Sequence, residues 1–283
     1  MGTMAISSAY PNKSMSALAE RAKSGLARYC RRLEARSLAI PRLLTQRITM
    51  FAAAWLAIFG LGSLLRIGFP SSPVESLNDL MGLIIPYLLI TLAPIAGYMI
   101  ASASFPRGTL TAQPEIRLSL FGKWRRLSVL DAKDNTACGP AGFLASLLIG
   151  LLLNVVLRSF EFLLAMPALN HHAPEWGQIL FHLMAADVVV MSFFYMVCFV
   201  LALRSVPYFP RMLLFAWGLD ITAQLVIARQ VGIAANLPAN VAETLQHLLH
   251  GNIDKVLISA FVWLPYLILS ERVNITYRQR TRA

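Results

Sequence analysis

Residues 179–203 read ILFHLMAADVVVMSFFYMVCFVLAL, a nearly unbroken apolar run. About 20 mostly apolar residues are enough for an α-helix to cross the hydrocarbon core of a bilayer. Further apolar runs reach or approach that length at 50–65, 81–101, 142–157 (continued at 162–166), 212–228 and 256–270. The sequence therefore predicts an all-α, polytopic membrane protein with six transmembrane helices.

The composition supports this class and gives the chain an orientation. Hydrophobic residues make up 57% of the 283 residues and charged residues only 14%, whereas a soluble domain carries about 25% charged residues. Of the 25 Lys and Arg residues, 21 fall in segments on one side of a six-span topology: 1–48, 103–141, 204–211 and 271–283. Basic residues next to spans stay in the cytoplasm. The placement of these charges, and not the net charge of +11, thus indicates cytoplasmic termini, and the basic residues are not a nucleic-acid-binding signal.

The chain divides into five predicted parts. These are a cytoplasmic amphipathic basic segment (1–48), a two-span hairpin (49–102), a basic cytoplasmic interfacial linker (103–141), a four-span bundle (142–270) and a basic cytoplasmic tail (271–283).

Two basic segments contain patterns typical of helices that lie on a membrane surface. In the first, apolar residues recur at helical spacing: Met15, Leu18, Ala22, Leu26, Tyr29 and Leu33. Arg28, Arg31 and Arg32 cover the other side, which suits the anionic inner leaflet, although a helix packed on a partner has the same pattern. In the linker, Ile116, Leu120, Trp124 and Leu127 share a helical face. Trp124 beside Arg125 and Arg126 is typical of an interfacial anchor.

The last span carries a short motif, FVWLPYLILSERVNITY at 261–277. The matching residues are Trp263, Pro265, Tyr266, Ser270, Arg272, Val273, Thr276 and Tyr277. This motif resembles the C-terminal signature of a bacterial family of small multi-span inner-membrane proteins of unknown function, the YdgK type. Glu271 stands where that family has a basic residue. The resemblance covers about residues 142–280 and implies a four-span unit without a defined chemistry.

Polar residues recur every fourth position in two spans. The third span has Gly142, Ser146, Gly150, Asn154 and Arg158, and the fifth has Ala216, Asp220, Gln224 and Ala228. Small residues permit close helix packing and polar residues find partners across helix interfaces. Both stripes are therefore predicted to face the bundle interior.

Charged residues in the spans predict an intramembrane polar cluster. Its members are Asn154, Arg158, Glu161, Asp187, Asp220 and Gln224. In the hairpin of the third and fourth spans, Arg158 and Asp187 lie at equal depth, as do Glu161 and His182, whereas Asp220 has no evident basic partner. An unpaired charge costs at least about 2.5 to 3.5 kcal/mol on insertion scales. Two interpretations stay open: a polar cavity open to the outer side, or ion pairs that hold the helices together.

All five histidines fall on the outer side: His171, His172, His182, His247 and His250. With Asp254 and Glu175 they could supply an imidazole-rich copper or zinc site, and no other cofactor is predicted. The alternative is local capping, in which Gly251 ends a helix after His250 and Asn252 begins the next.

Catalytic motifs of the P-loop, GxGxxG, GxSxG, HExxH and paired CxxC types are absent from the sequence. This favours a non-enzymatic membrane component: a subunit, an assembly or accessory factor, or a small permease-like component. Its expected partners are an anionic inner leaflet and other membrane subunits. The alternative is a membrane-embedded enzyme or metal-handling protein that uses the outer histidines and the Arg/Asp cluster; its catalytic residues would be unknown.

Overall fold

The computed structural model describes residues 24–25, 37–108, 111–115, 122–234 and 237–283. These residues form helices and one two-stranded sheet, so the predicted all-α class is confirmed. The predicted N-terminal amphipathic helix, including Arg28, Arg31 and Arg32, lies outside the described residues except for 24–25.

Six helices of 21 to 31 residues are long and apolar enough to cross a membrane, as the sequence predicts. They are α2 (Ile48–Gly68), α3 (Leu77–Ser104), α5 (Phe143–Ala165), α6 (Glu175–Leu203), α7 (Phe209–Ile233) and α8 (Ala239–Leu269). Shorter elements are α1 (Ala39–Gln46), α4 (Val129–Asp134), α9 (Glu271–Arg278) and the strands β1 (Trp124–Arg126) and β2 (Arg280–Arg282). The chain is therefore a multi-pass membrane protein.

Helix α6 forms the centre of the bundle. It packs against α3, α5 and α7, while α2 lies at the rim on α3 and α5 and α8 packs on α7. Phe143 of α5 also stacks on Trp263 of α8, with ring centroids 4.4 Å apart. The rim helices expose large apolar side chains such as Leu64 and Phe261. Such exposure suits contact with lipid tails, which are as apolar as the side chains themselves.

The two ends of the bundle differ in composition. We call the end formed by the described residues 105–108, 111–115, 122–142, 204–208 and 270–283 the basic face, and the end formed by 69–76, 166–174, 234 and 237–238 the histidine face. On the histidine face the α2–α3 loop and the α5–α6 loop are hydrogen-bonded to each other. Ser71 N donates to the Ala168 carbonyl at 3.0 Å. Asn170 Nδ2 also donates to the Pro73 carbonyl at 2.6 Å.

The helical face predicted for the linker is wrong at Trp124. Strand β1 pairs antiparallel with β2, with Trp124 opposite Arg282 and Arg126 opposite Arg280. Trp124 is half-buried, and Arg125 and Arg126 are exposed on the basic face. The backbone bonds that make this strand come from a segment more than 150 residues away, so local periodicity could not reveal it.

The helix break predicted at Gly251 is also wrong. Helix α8 continues from Ala239 to Leu269 with Gly251 in its interior. Leu249 before the glycine and Val256 after it are both buried. Tertiary packing on both sides of the glycine outweighs its low helix propensity.

Helix α9 closes the end of α8 on the basic face. Buried Arg278 donates from Nη1 to the Leu267 carbonyl at 2.7 Å, and Tyr277 Oη donates to the Ala202 carbonyl at 3.0 Å. Burial, together with Arg280 and Arg211, lowers the pKa of Arg278 to about 10. The guanidinium remains cationic at neutral pH and stabilises the C-terminal carbonyls of α8.

Candidate functional site: a polar relay within the bundle

Arg158 joins three helices near the middle of the bundle. Its Nη1 donates to Asp187 Oδ2 on α6 at 2.9 Å, which is the contact expected from their equal depth. Its Nη2 donates to both Asp220 oxygens on α7, at 2.6 and 2.7 Å. The prediction that Asp220 lacks a basic partner is therefore wrong. One guanidinium presents five N–H groups in a planar fork and can serve two carboxylates.

Two further side chains complete this centre. Tyr195 Oη on α6 donates to Asp220 Oδ2 at 2.7 Å, and Gln224 Nε2 on α7 donates to Asp187 Oδ1 at 3.2 Å. Sequence reasoning missed Tyr195. Helical spacing could have revealed it, because Tyr195 follows Asp187 by eight residues and both side chains therefore lie on the same side of α6.

The centre has more acidic than basic groups. Arg158 carries one positive charge, and Asp187 and Asp220 carry two negative charges when both are ionised. Uncompensated charge in a bilayer costs about 2.5 to 3.5 kcal/mol or more. A single proton on the carboxylate pair makes the three residues neutral, so the centre can hold one exchangeable proton.

A line of polar side chains connects this centre to the surface near the histidine face. Gln224 Oε1 accepts from Asn252 Nδ2 at 3.4 Å, and Asn252 Oδ1 accepts from Lys255 Nζ at 3.4 Å. Lys255 Nζ also donates to Glu161 Oε1 at 2.6 Å. The Lys255 and Glu161 side chains are 57% and 42% exposed, so the line ends at the surface.

We call this set of side chains the polar relay. From the surface inward it comprises Glu161, Lys255, Asn252, Gln224, Asp187, Arg158, Asp220 and Tyr195. It crosses between α5, α6, α7 and α8. The two links at 3.4 Å are longer than usual hydrogen bonds and lie between the exposed Glu161–Lys255 pair and buried Gln224.

The inner part of the polar relay is closed. Asp220 and Gln224 are fully buried and Asp187 is nearly so. Among the described residues, these buried side chains therefore do not line the outward-open polar cavity that was one interpretation of the cluster.

Two other expectations for the polar residues are wrong. Glu161 does not pair with His182, because it bonds Lys255 and His182 Nδ1 lies 2.8 Å from the Gln178 carbonyl of its own helix. Asn154 is half-buried and forms no hydrogen bond with a described residue.

The small-residue stripe of the third span does not face inward along its length. Ser146 and Gly150 are exposed, whereas in α7 Ala216, Asp220 and Gln224 are buried and only Ala228 of the predicted stripe is exposed. Each step of four residues turns a helix by about 400°, so a row of five positions drifts around the helix. In α5 this drift brings only the Arg158 end of the row to the interior.

The five histidines do not form one site. His182 and His250 each lie 2.8 Å from a carbonyl four residues earlier in their own helix, and His247 is exposed. Asp254 and Glu175 are exposed as well.

His171 and His172, by contrast, come together at Asp79. The ligand atoms of these three residues lie within 4.8 Å of one another, and they form the only such His, Cys, Asp or Glu group among the described residues. Sequence reasoning missed Asp79, because it lies in the other hairpin. These three residues could hold a metal ion.

Comparison with known proteins found no family model, curated protein or solved structure that matches this chain.

Proposed function

We propose that the protein is a non-enzymatic, permease-like component of a bacterial inner membrane, and that the polar relay lines the outer half of a proton path that continues from the buried carboxylates of Asp187 and Asp220 to the basic face. The observation that carries the proposal is the line of polar side chains from Lys255 and Glu161 to the buried carboxylates of Asp187 and Asp220. Ionisable residues inside a membrane are rare and mark ion or proton pathways.

The charge balance of the centre supports proton handling in particular. With one guanidinium and two carboxylates, a proton can bind or leave while Arg158 holds both carboxylates in place. Tyr195 Oη, bonded to Asp220 at 2.7 Å, is a further group that can pass a proton. Substrate-binding pockets of enzymes are open concave sites with a few polar groups, which the buried centre does not resemble.

The proposed orientation places the basic face in the cytoplasm, because Lys and Arg next to spans are retained there. The basic face would then contact the anionic inner leaflet through residues such as Arg125 and Arg126, both exposed. The resemblance to the YdgK type supports a bacterial inner-membrane location. The wide apolar surfaces of α2 and α8 leave room for neighbouring membrane subunits.

Proton flux into liposomes that contain the purified full-length protein and a trapped pH-sensitive dye tests the proposal. Under a potassium diffusion potential, wild-type protein should acidify the lumen faster than protein-free vesicles. Asp220→Asn should reduce the rate to that of protein-free vesicles, because the amide keeps the acceptor oxygen for Arg158 and Tyr195 but cannot exchange the proton. The variant keeps a neutral Arg158–Asp187 pair and should therefore insert normally.

Asp254→Asn is the matched control, since Asp254 is an exposed carboxylate on α8 outside the polar relay. Its flux should equal that of the wild type. A wild-type rate no faster than that of protein-free vesicles, or an Asp220→Asn rate equal to wild type, would contradict the proposal. The interpretation of the buried ion pairs as helix-packing contacts would then stand, and co-purification in mild detergent would identify a partner complex.

A further inference from the structure

Asp79 is the third residue of α3 and has one carboxylate oxygen fully used by the helix cap. Its Oδ2 accepts from Ser76 N at 2.8 Å, Ser76 Oγ at 2.9 Å and Glu75 N at 3.0 Å. Ser76 Oγ accepts in return from Asp79 N at 3.2 Å. This capping box fixes the carboxylate, whose residue is 1% exposed, with Oδ1 turned toward the loop between α5 and α6.

The other oxygen, Oδ1, is buried and forms no hydrogen bond with any described residue. The Nδ1 atom of His171 nevertheless lies 2.5 Å from it, and the Nε2 atom of His172 lies 3.5 Å from Oδ2. The His171 nitrogen is thus close to the oxygen without the direction of a hydrogen bond. Oδ1 thus has a close imidazole nitrogen but no directed hydrogen bond, and a metal ion bound by both groups would supply a directed contact.

The loop that carries the two histidines is fixed by hydrogen bonds to its backbone. Their ring centroids are 4.2 Å apart. Asn170 Oδ1 accepts from His172 N at 3.0 Å, and Gln178 Nε2 donates to the His171 carbonyl at 2.9 Å. Because Asn170 also bonds the α2–α3 loop, the backbone that carries the histidines is positioned beside Asp79 before any ligand binds, which lowers the entropic cost of binding.

We propose that Asp79, His171 and His172 bind a zinc ion on the histidine face. Imidazole nitrogen and carboxylate oxygen are zinc ligands, and sites with three protein ligands leave a fourth position for water or substrate. The His171 and His172 side chains are 52% and 34% exposed, so the ion can enter from solvent. The ion would satisfy Oδ1 of Asp79 and join the α2–α3 loop to the α5–α6 loop. The site shares no residue with the polar relay.

Zinc binding to the full-length protein in detergent tests this assignment. After removal of metal with a chelator, the wild type should bind one zinc ion per chain in competition with a coloured zinc indicator. His171→Ala and His172→Ala should each weaken binding by about tenfold or more, since loss even of groups that only support metal ligands costs 10–100-fold. Asp79→Asn retains an oxygen for the helix cap but loses the charge, and should also weaken binding.

His182→Ala and His250→Ala are the matched controls, because these exposed histidines bond only within their own helices. Both should bind zinc as the wild type does. As a second measurement, zinc should raise the Tm of the wild type and of both controls but not that of His171→Ala, since a ligand stabilises only a protein that binds it. The assignment is overturned if the wild type binds no zinc, if His171→Ala with His172→Ala binds as the wild type does, or if the controls lose binding equally.

Discussion

Arg158→Met is expected to lower the free energy of unfolding by about 3–5 kcal/mol, the usual cost of removing one partner from a buried ion pair. Asp187 and Asp220 both accept hydrogen bonds from Arg158 and are buried. Without the guanidinium they face each other inside the bundle with no cation between them. Equilibrium unfolding in mixed micelles of increasing SDS content would measure the loss.

A compensating variant tests whether charge causes this loss. Arg158→Met combined with Asp187→Asn and Asp220→Asn contains no buried charge at the centre, and neutral replacements for buried ion networks are often tolerated. It should recover most of the lost stability. Arg229→Met, at an exposed arginine of α7, should change the free energy of unfolding by less than about 0.5 kcal/mol. A triple variant as unstable as Arg158→Met would show that charge is not the cause.

Gly97→Leu should destabilise the protein by about 3 kcal/mol or more, because overpacking a tight contact displaces backbone. Gly97 of α3 lies against α6 so closely that an added Cβ would be 2.6 Å from the Phe193 carbonyl oxygen and 3.2 Å from the Phe193 Cα. Neither atom can move without moving α6. Small residues at membrane helix interfaces permit this kind of backbone approach. The same SDS unfolding titration measures the effect.

Gly82→Leu is the control in the same helix. No atom lies within 4 Å of a Cβ added at Gly82, so the leucine side chain has open space and the substitution should not destabilise the protein. Equal losses of stability for Gly97→Leu and Gly82→Leu would mean that the close contact between α3 and α6 does not account for the change.

Some features of this protein follow from sequence because they are local. The length of an apolar run determines whether a helix can cross a bilayer, and all six spans are found where such runs occur. The contact of Arg158 with Asp187 was also foreseeable. A short loop joins their helices into a hairpin, so counting residues from the loop gives both depths.

Other features depend on how helices that are not neighbours in the chain are rotated and placed against one another. Asp220 lies two spans beyond Arg158, and only the packing of α7 on α6 brings it to the guanidinium. Asp79 meets His171 because the two hairpin loops bond on the histidine face. Strand β1 exists because the C-terminal residues 280–282 reach it.

The sequence by itself thus determined the spans, their alternating direction and the equal depth of Arg158 and Asp187, since these depend on residues close together in the chain. Tertiary structure alone decided that Asp220 also meets Arg158, which oxygen of Asp79 is left without a hydrogen bond and whether α8 continues through Gly251. Those outcomes depend on packing between distant segments, whose energies exceed local propensities.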